Sequence, residues 1–109
     1  MKLLIVEDDL NLIDTLKEFI NPVLDVHFAK DLSEAMEYLK TNIPDVVLTD
    51  FHFPGGNGHD VARYARNVGC QKVILHTSDH TVRDIEGLYS DIYSKCHKKV
   101  LSLLNPMKI

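Results

Sequence analysis

Short apolar runs, each closed by a polar or charged residue, alternate along the chain with stretches whose apolar positions recur every three or four residues. The first run, Leu3-Leu4-Ile5-Val6, stops at Glu7-Asp8-Asp9. Runs of this length bounded by polar residues read as strands buried on both faces. Leu10, Ile13, Leu16, Phe19 and Ile20 follow at helical spacing, with Asp9 placed to cap the helix and Asn21-Pro22 to end it. Residues 23–29 predict a second strand with partial alternation. Asp31 is placed to cap a second helix, on which Leu32, Ala35, Met36 and Leu39 share a face. Asn42-Ile43-Pro44 turns the chain into a third strand, Val46-Val47-Leu48, which ends at Asp50; Pro54, Gly55, Gly56 and Gly58 then mark a loop with special backbone angles. Val61, Tyr64, Ala65 and Val68 predict a third helix closed by Gly69. Residues 72–77 predict a fourth strand. Val82, Ile85 and Leu88 predict a short, weaker helix over residues 81–88, and residues 91–95 a fifth strand ending in Lys95. Val100, Leu101, Leu103 and Leu104 predict a stubby last helix before Asn105-Pro106.

Five strand-then-helix repeats with short connections imply an α/β fold: a doubly wound, five-stranded parallel sheet with helices on both faces. The order 2-1-3-4-5 is the natural candidate, with its switch point between strands 1 and 3, and ligands bind such sheets at the carboxyl edge.

Composition narrows the function classes. At 109 residues the chain reads as a single domain, 1–109, with no output domain following. Twelve basic against 16 acidic residues, a net charge of −4, give no electrostatic reason for direct nucleic-acid binding or for a polybasic membrane contact. The first apolar run is too short for a signal peptide or a spanning helix. Cys70 and Cys96 form no CxxC pair, so zinc and disulfide frameworks lack support and reduced thiols in a cytoplasmic setting fit best. His76 and His80 straddle a strand–helix boundary and read as surface or rim histidines rather than zinc ligands.

In the proposed order, strands 3, 1, 4 and 5 bring Asp50, Glu7 with Asp8, Thr77 with Ser78, and Lys95 to one edge. Three carboxylates packed together repel one another, and a hard divalent cation such as Mg²⁺ relieves that repulsion through oxygen ligands. A backbone carbonyl just beyond Asp50 is placed to complete the protein's share. With its charge screened by the metal and Lys95, Asp50 can act as a nucleophile towards a phosphoryl group; Lys95 supplies a positive charge and Thr77 a hydroxyl for the phosphoryl oxygens.

With these residues in place, the chain resembles the receiver domain of two-component response regulators over nearly its whole length. The resemblance is carried by Leu4-Ile5-Val6-Glu7-Asp8-Asp9, by Asp50 to Gly58, by Thr77-Ser78 and by Lys95. It implies the flavodoxin-like order 2-1-3-4-5, which is that family's own order, so the two readings of it are not independent. It implies that Asp50 is the phospho-acceptor, served by a histidine kinase or phosphotransfer protein. Asp8 would be a direct Mg²⁺ ligand, Glu7 its companion through water, and the His52 backbone carbonyl the third protein ligand. Thr77 and Lys95 would be the switch hydroxyl and the phosphate-binding lysine, with His52 and Asp79 tuning access of hydrolytic water. The resemblance further implies a cytoplasmic, monomeric or weakly dimeric protein that signals to a downstream protein target. It implies self-dephosphorylation rather than turnover as an enzyme, while the charge balance gives no reason to expect a direct nucleic-acid or membrane contact.

The chain departs from the family pattern where output is usually delivered. Cys96 rather than proline follows Lys95, Ile92 stands where a switch aromatic is expected, and Tyr93 points the other way by strand alternation. The fourth and last helices are short. Two competing functions follow: a degenerate receiver used as a phosphorylation-independent protein-binding platform, and a small Mg²⁺-dependent phosphohydrolase. The second is opposed by His52 in place of an acid near the nucleophile and by the lack of an insertion long enough for a cap.

Overall fold

The computed structural model describes residues 1–94; Lys95, Cys96 and the expected last helix lie outside the described residues. In chain order the elements are β1 (Lys2–Val6), α1 (Leu10–Lys17), β2 (Asp25–Ala29), α2 (Leu32–Thr41) and β3 (Val46–Thr49). A small hairpin, β4 (His52–Phe53) with β5 (Gly56–Asn57), precedes α3 (Gly58–Val68), β6 (Lys72–Thr77) and β7 (Asp91–Ser94). Five strands pair in the order β2-β1-β3-β6-β7, all parallel. With the hairpin set aside, this is the expected order 2-1-3-4-5.

Strand alternation divides the core between two faces. Leu4, Val6, Val47 and Val73 pack with Ala35 and Leu39 of α2 and Val61, Ala62 and Ala65 of α3. Leu3, Ile5, Val46, Leu48 and Ile74 pack with Leu16 of α1, and Phe28 and Tyr93 close against them. Burying a Leu or Ile side chain contributes roughly 1.5–3 kcal/mol, so the two clusters hold the strands in one register. Val6 stands level with Ala29 and Thr49, while Thr49 pairs with Leu75 and β6 runs on to Thr77. The carboxyl edge is therefore stepped, with β6 reaching past β1 and β3.

The helix starts follow the caps read from the chain. The Asp9 carboxylate accepts from the Asn11 and Leu12 amides, Asp31 from the Glu34 amide, and Asn57 and Asp60 form a reciprocal capping box. Gly69 ends α3 at φ 106°, a conformation that favours glycine. Two boundaries moved. α1 stops at Lys17, because the Glu18 and Phe19 amides tighten onto the Thr15 and Leu16 carbonyls ahead of Asn21-Pro22. Val23 and Leu24 stay out of β2, because Asn21 binds the Val23 amide through its side chain and the Leu24 amide through its carbonyl.

The helix expected over residues 81–88 does not form. The Asp84 side chain takes amides a helix would use. Asp79 Oδ1 accepts from the Thr81 amide at 2.9 Å and from its hydroxyl at 2.5 Å. The Asp84 carboxylate accepts from the Leu88 and Tyr89 amides at 2.6 and 3.1 Å, and Gly87 turns the chain at φ 68°. Of the apolar stripe, Ile85 is 92% exposed, while Leu88 packs against the α2–α3 core. The segment is fastened to α3 instead. Arg63 bonds Glu86, and Arg66 donates to the Leu88, Cys70 and Gln71 carbonyls and to the Ser90 hydroxyl.

Candidate functional site

Each acid at the carboxyl edge is placed by the strand that ends before it. Glu7 follows β1 and is almost fully buried, its amide donating to the Ala29 carbonyl at 2.9 Å. Asp50 extends β3, its amide donating to the Val6 carbonyl at 2.9 Å, and is 7% exposed. Asp8 is exposed. One carboxylate oxygen from each of Glu7, Asp8 and Asp50 lies within 4.8 Å of the others. Two of these acids are withdrawn from water, where carboxylates this close repel one another and positive charge relieves them. An all-oxygen, carboxylate-rich set of this size fits a hard divalent cation of the Mg²⁺ type.

The loop after Asp50 is held closely. Asp50 Oδ1 accepts from the Phe51 amide at 2.7 Å, and the Thr49 hydroxyl donates to the Asp50 carbonyl at 2.7 Å. The Gly58 amide donates to the Phe51 carbonyl at 2.9 Å. A Cβ on Gly58 would sit 2.7 Å from the Asp50 carbonyl oxygen and 3.2 Å from both Phe51 Cα and the Tyr89 hydroxyl. Only glycine lets the first turn of α3 approach the Asp50 backbone this closely.

Thr77, the last residue of β6, is buried, and its hydroxyl oxygen accepts from the Asp79 amide at 3.0 Å, which keeps its hydrogen for donation. His52 begins the small hairpin, and its Nε2 lies 2.7 Å from Asp79 Oδ2. The Thr81 hydroxyl, then His52 and the Thr81 amide, hold the Asp79 carboxyl well below the usual carboxylate range.

Two features were not anticipated. His76, expected at the surface or rim, is 2% exposed, with Nε2 3.8 Å from Glu7 Oε1. β6 is covered on both faces, and residue 76 shares a face with buried Ile74, so the imidazole goes inward beneath the acidic edge. The second is a chain of rings behind Asp50. Phe51 meets His59 edge-to-face at 4.9 Å between centroids, and His59 Nδ1 lies 2.7 Å from the Tyr89 hydroxyl. Burial, then the nearby Asp84, pushes the Tyr89 phenol well above its usual range, so it stays protonated. No local pattern marks this contact, which joins residues 30 apart. At β7, Tyr93 packs on the α1 side of the sheet as alternation requires, and Ile92 is exposed. Among the described residues, no helix is long and apolar enough to cross a membrane.

The model of the response regulator receiver domain matches residues 3–99. An uncharacterized response regulatory protein of Staphylococcus epidermidis is 32% identical over 83 residues, covering 72% of this chain and 33% of that protein. The chain spans about a third of the length of the curated relatives it matches. Among solved structures, the non-phosphorylated HemR receiver domain of Leptospira biflexa is similar at a TM-score of 0.81 and 28% identity, over 96% of this chain and 91% of that one. The response regulator protein TrrA of Thermotoga maritima, solved in complex with Mg(2+)-BeF, is similar at 0.78 and 26%, over 94% and 98%.

Proposed function

The chain belongs to the response regulator receiver family, and on that premise we propose that it is a phosphoryl acceptor of two-component signalling with Asp50 as the accepting residue. The observation that carries this reading is the meeting of Glu7, Asp8 and Asp50 at the switch point of the sheet, with Asp50 closing the central strand. TrrA, a relative of the same fold, is solved with Mg(2+)-BeF, which lends support by similarity.

In the proposed reaction, one Asp50 carboxylate oxygen attacks the phosphorus of a phosphohistidine on a histidine kinase or phosphotransfer protein. The P–N bond breaks as the new P–O bond forms, and the imidazole leaves with the electron pair and takes up a proton. Such transfers need in-line positioning and charge neutralisation more than proton abstraction. Asp8, Asp50 and the His52 carbonyl would hold Mg²⁺, with Glu7 acting through water; the ion supplies charge stabilisation on the phosphoryl oxygens. Thr77 donates its hydroxyl to the transferred group and Lys95 neutralises it. The phosphorylated chain then acts through protein contacts in the cytoplasm, and water slowly returns it to the free carboxylate.

The turn-rich segment between β6 and β7 favours a second reading, a platform that keeps the fold without phosphorylation. Intact-protein mass spectrometry after incubation with a small phosphodonor and Mg²⁺ separates the two. One added phosphate on the parent and none on Asp50→Asn is the expected result. Labelling retained in the variant overturns Asp50 as acceptor, and an unlabelled, folded parent overturns the acceptor reading.

A further inference from the structure

On the acceptor reading above, we propose that His59 and Tyr89 are this chain's coupling pair, transmitting the state of the Asp50 loop to the segment at residues 84–90. Ile92, on β7, is exposed. Tyr89 lies elsewhere, in the loop before β7, and it reaches the acceptor by a route the structure spells out. The Phe51 amide donates to Asp50 Oδ1 at 2.7 Å, so any new bond at that carboxylate is felt first by the Phe51 peptide. The Phe51 ring rests against His59, and His59 Nδ1 lies 2.7 Å from the Tyr89 hydroxyl. Gly58 makes the approach possible, because a Cβ there would stand 3.2 Å from that hydroxyl.

The far end of the route is as well defined as the near end. The Tyr89 amide donates to Asp84, which also holds Leu88, so displacing the phenol pulls on a turn that runs back to residue 84. That turn lines a cleft of about 260 Å³ together with His59, Arg63 and Arg83, and it carries the exposed Ile85. A movement at Phe51 thus has a packed, hydrogen-bonded path to a surface that a partner can read. Rings and hydrogen bonds in contact are the physical form such coupling takes, and the evidence for it is a measured coupling energy.

The test uses ¹⁵N-labelled parent, Tyr89→Phe, His59→Leu and the double variant, each titrated with beryllofluoride and Mg²⁺. In the parent, amides near Asp50 and at residues 84–90 shift on binding. Tyr89→Phe keeps the ring and the packing, and it is expected to keep the shifts near Asp50 while those at residues 84–90 fall at least twofold. His59→Leu gives the same loss, and the double variant loses no more than either single. Full shifts at residues 84–90 in Tyr89→Phe, or losses that add in the double variant, overturn the coupling pair. A parent that binds beryllofluoride without any shift at residues 84–90 also overturns it. A parent that neither binds beryllofluoride nor takes up phosphate overturns the acceptor reading itself, and the proposal with it.

Discussion

The acidic edge and the segment between β6 and β7 are neighbours built on opposite principles. At the edge, the acids are placed by backbone: Glu7 and Asp50 lie one residue past strands whose register is set by buried Leu, Ile and Val. Between β6 and β7 the backbone forms no ladder of its own. Asp79, Asp84, Arg63 and Arg66 hold it through side-chain bonds to amides, carbonyls and carboxylates. The first kind of order tolerates change at most surface positions, because it is spread over the core. The second is concentrated in a few polar groups, so single substitutions should release it.

The comparison can be broken most severely at Asp50, where Asp50→Asn is expected to remove all labelling while leaving the unfolding transition cooperative. Gly58→Ala comes next, because the nearest atom its Cβ meets is the Asp50 backbone carbonyl oxygen, which cannot swing aside. We expect a loss of about 1–3 kcal/mol in urea titration, by analogy with other overpacked sites, and slower labelling. Mg²⁺ at ten times its Kd should raise stability by about 1.4 kcal/mol. That gain should vanish in Asp8→Asn and on chelation, as followed by thermal unfolding. Arg66→Ala sharpens the contrast rather than breaking it. It should cost about 1 kcal/mol and speed amide exchange at residues 84–90, with β1 and β3 unchanged.

The smallest effect concerns pH. Asp79 has a folded pKa below its unfolded one, so its stabilising contribution is present above the ordinary carboxylate value near 4 and is lost as pH falls through the folded value. The difference in melting temperature between the parent and Asp79→Ala should therefore be full at neutral pH and shrink below about pH 4. A gap that widens with acid would reverse the sign.

These two regions also differ in how far they could be read from the chain alone. Apolar runs ending in Glu7, Asp50 and Thr77 announce strands, and a parallel sheet carries their ends to one edge, so the acidic site was legible. Val82, Ile85 and Leu88 announced a helix that Asp84 competes with by capturing the Leu88 and Tyr89 amides, and a periodicity rule does not weigh that competition. The burial of His76 was within reach, since it shares a face with Ile74 on a strand read as buried. The contact between His59 and Tyr89 was not, because neither residue carries a local signal and the fold alone brings them together.

One detail of the β6–β7 connection bears on how freely this part of the molecule can vary. The Ser90 amide donates to the Val73 carbonyl and the Ser90 hydroxyl accepts from the Val73 amide, so the chain that leaves at Thr77 is moored again at the opposite end of the same strand. Between those moorings Ile85 projects into water. Foreign sequence spliced at the Ile85 tip would therefore hang from two fixed posts and leave the sheet and the acids where they are, while opening the Asp84 turn that reaches Leu88 and Tyr89.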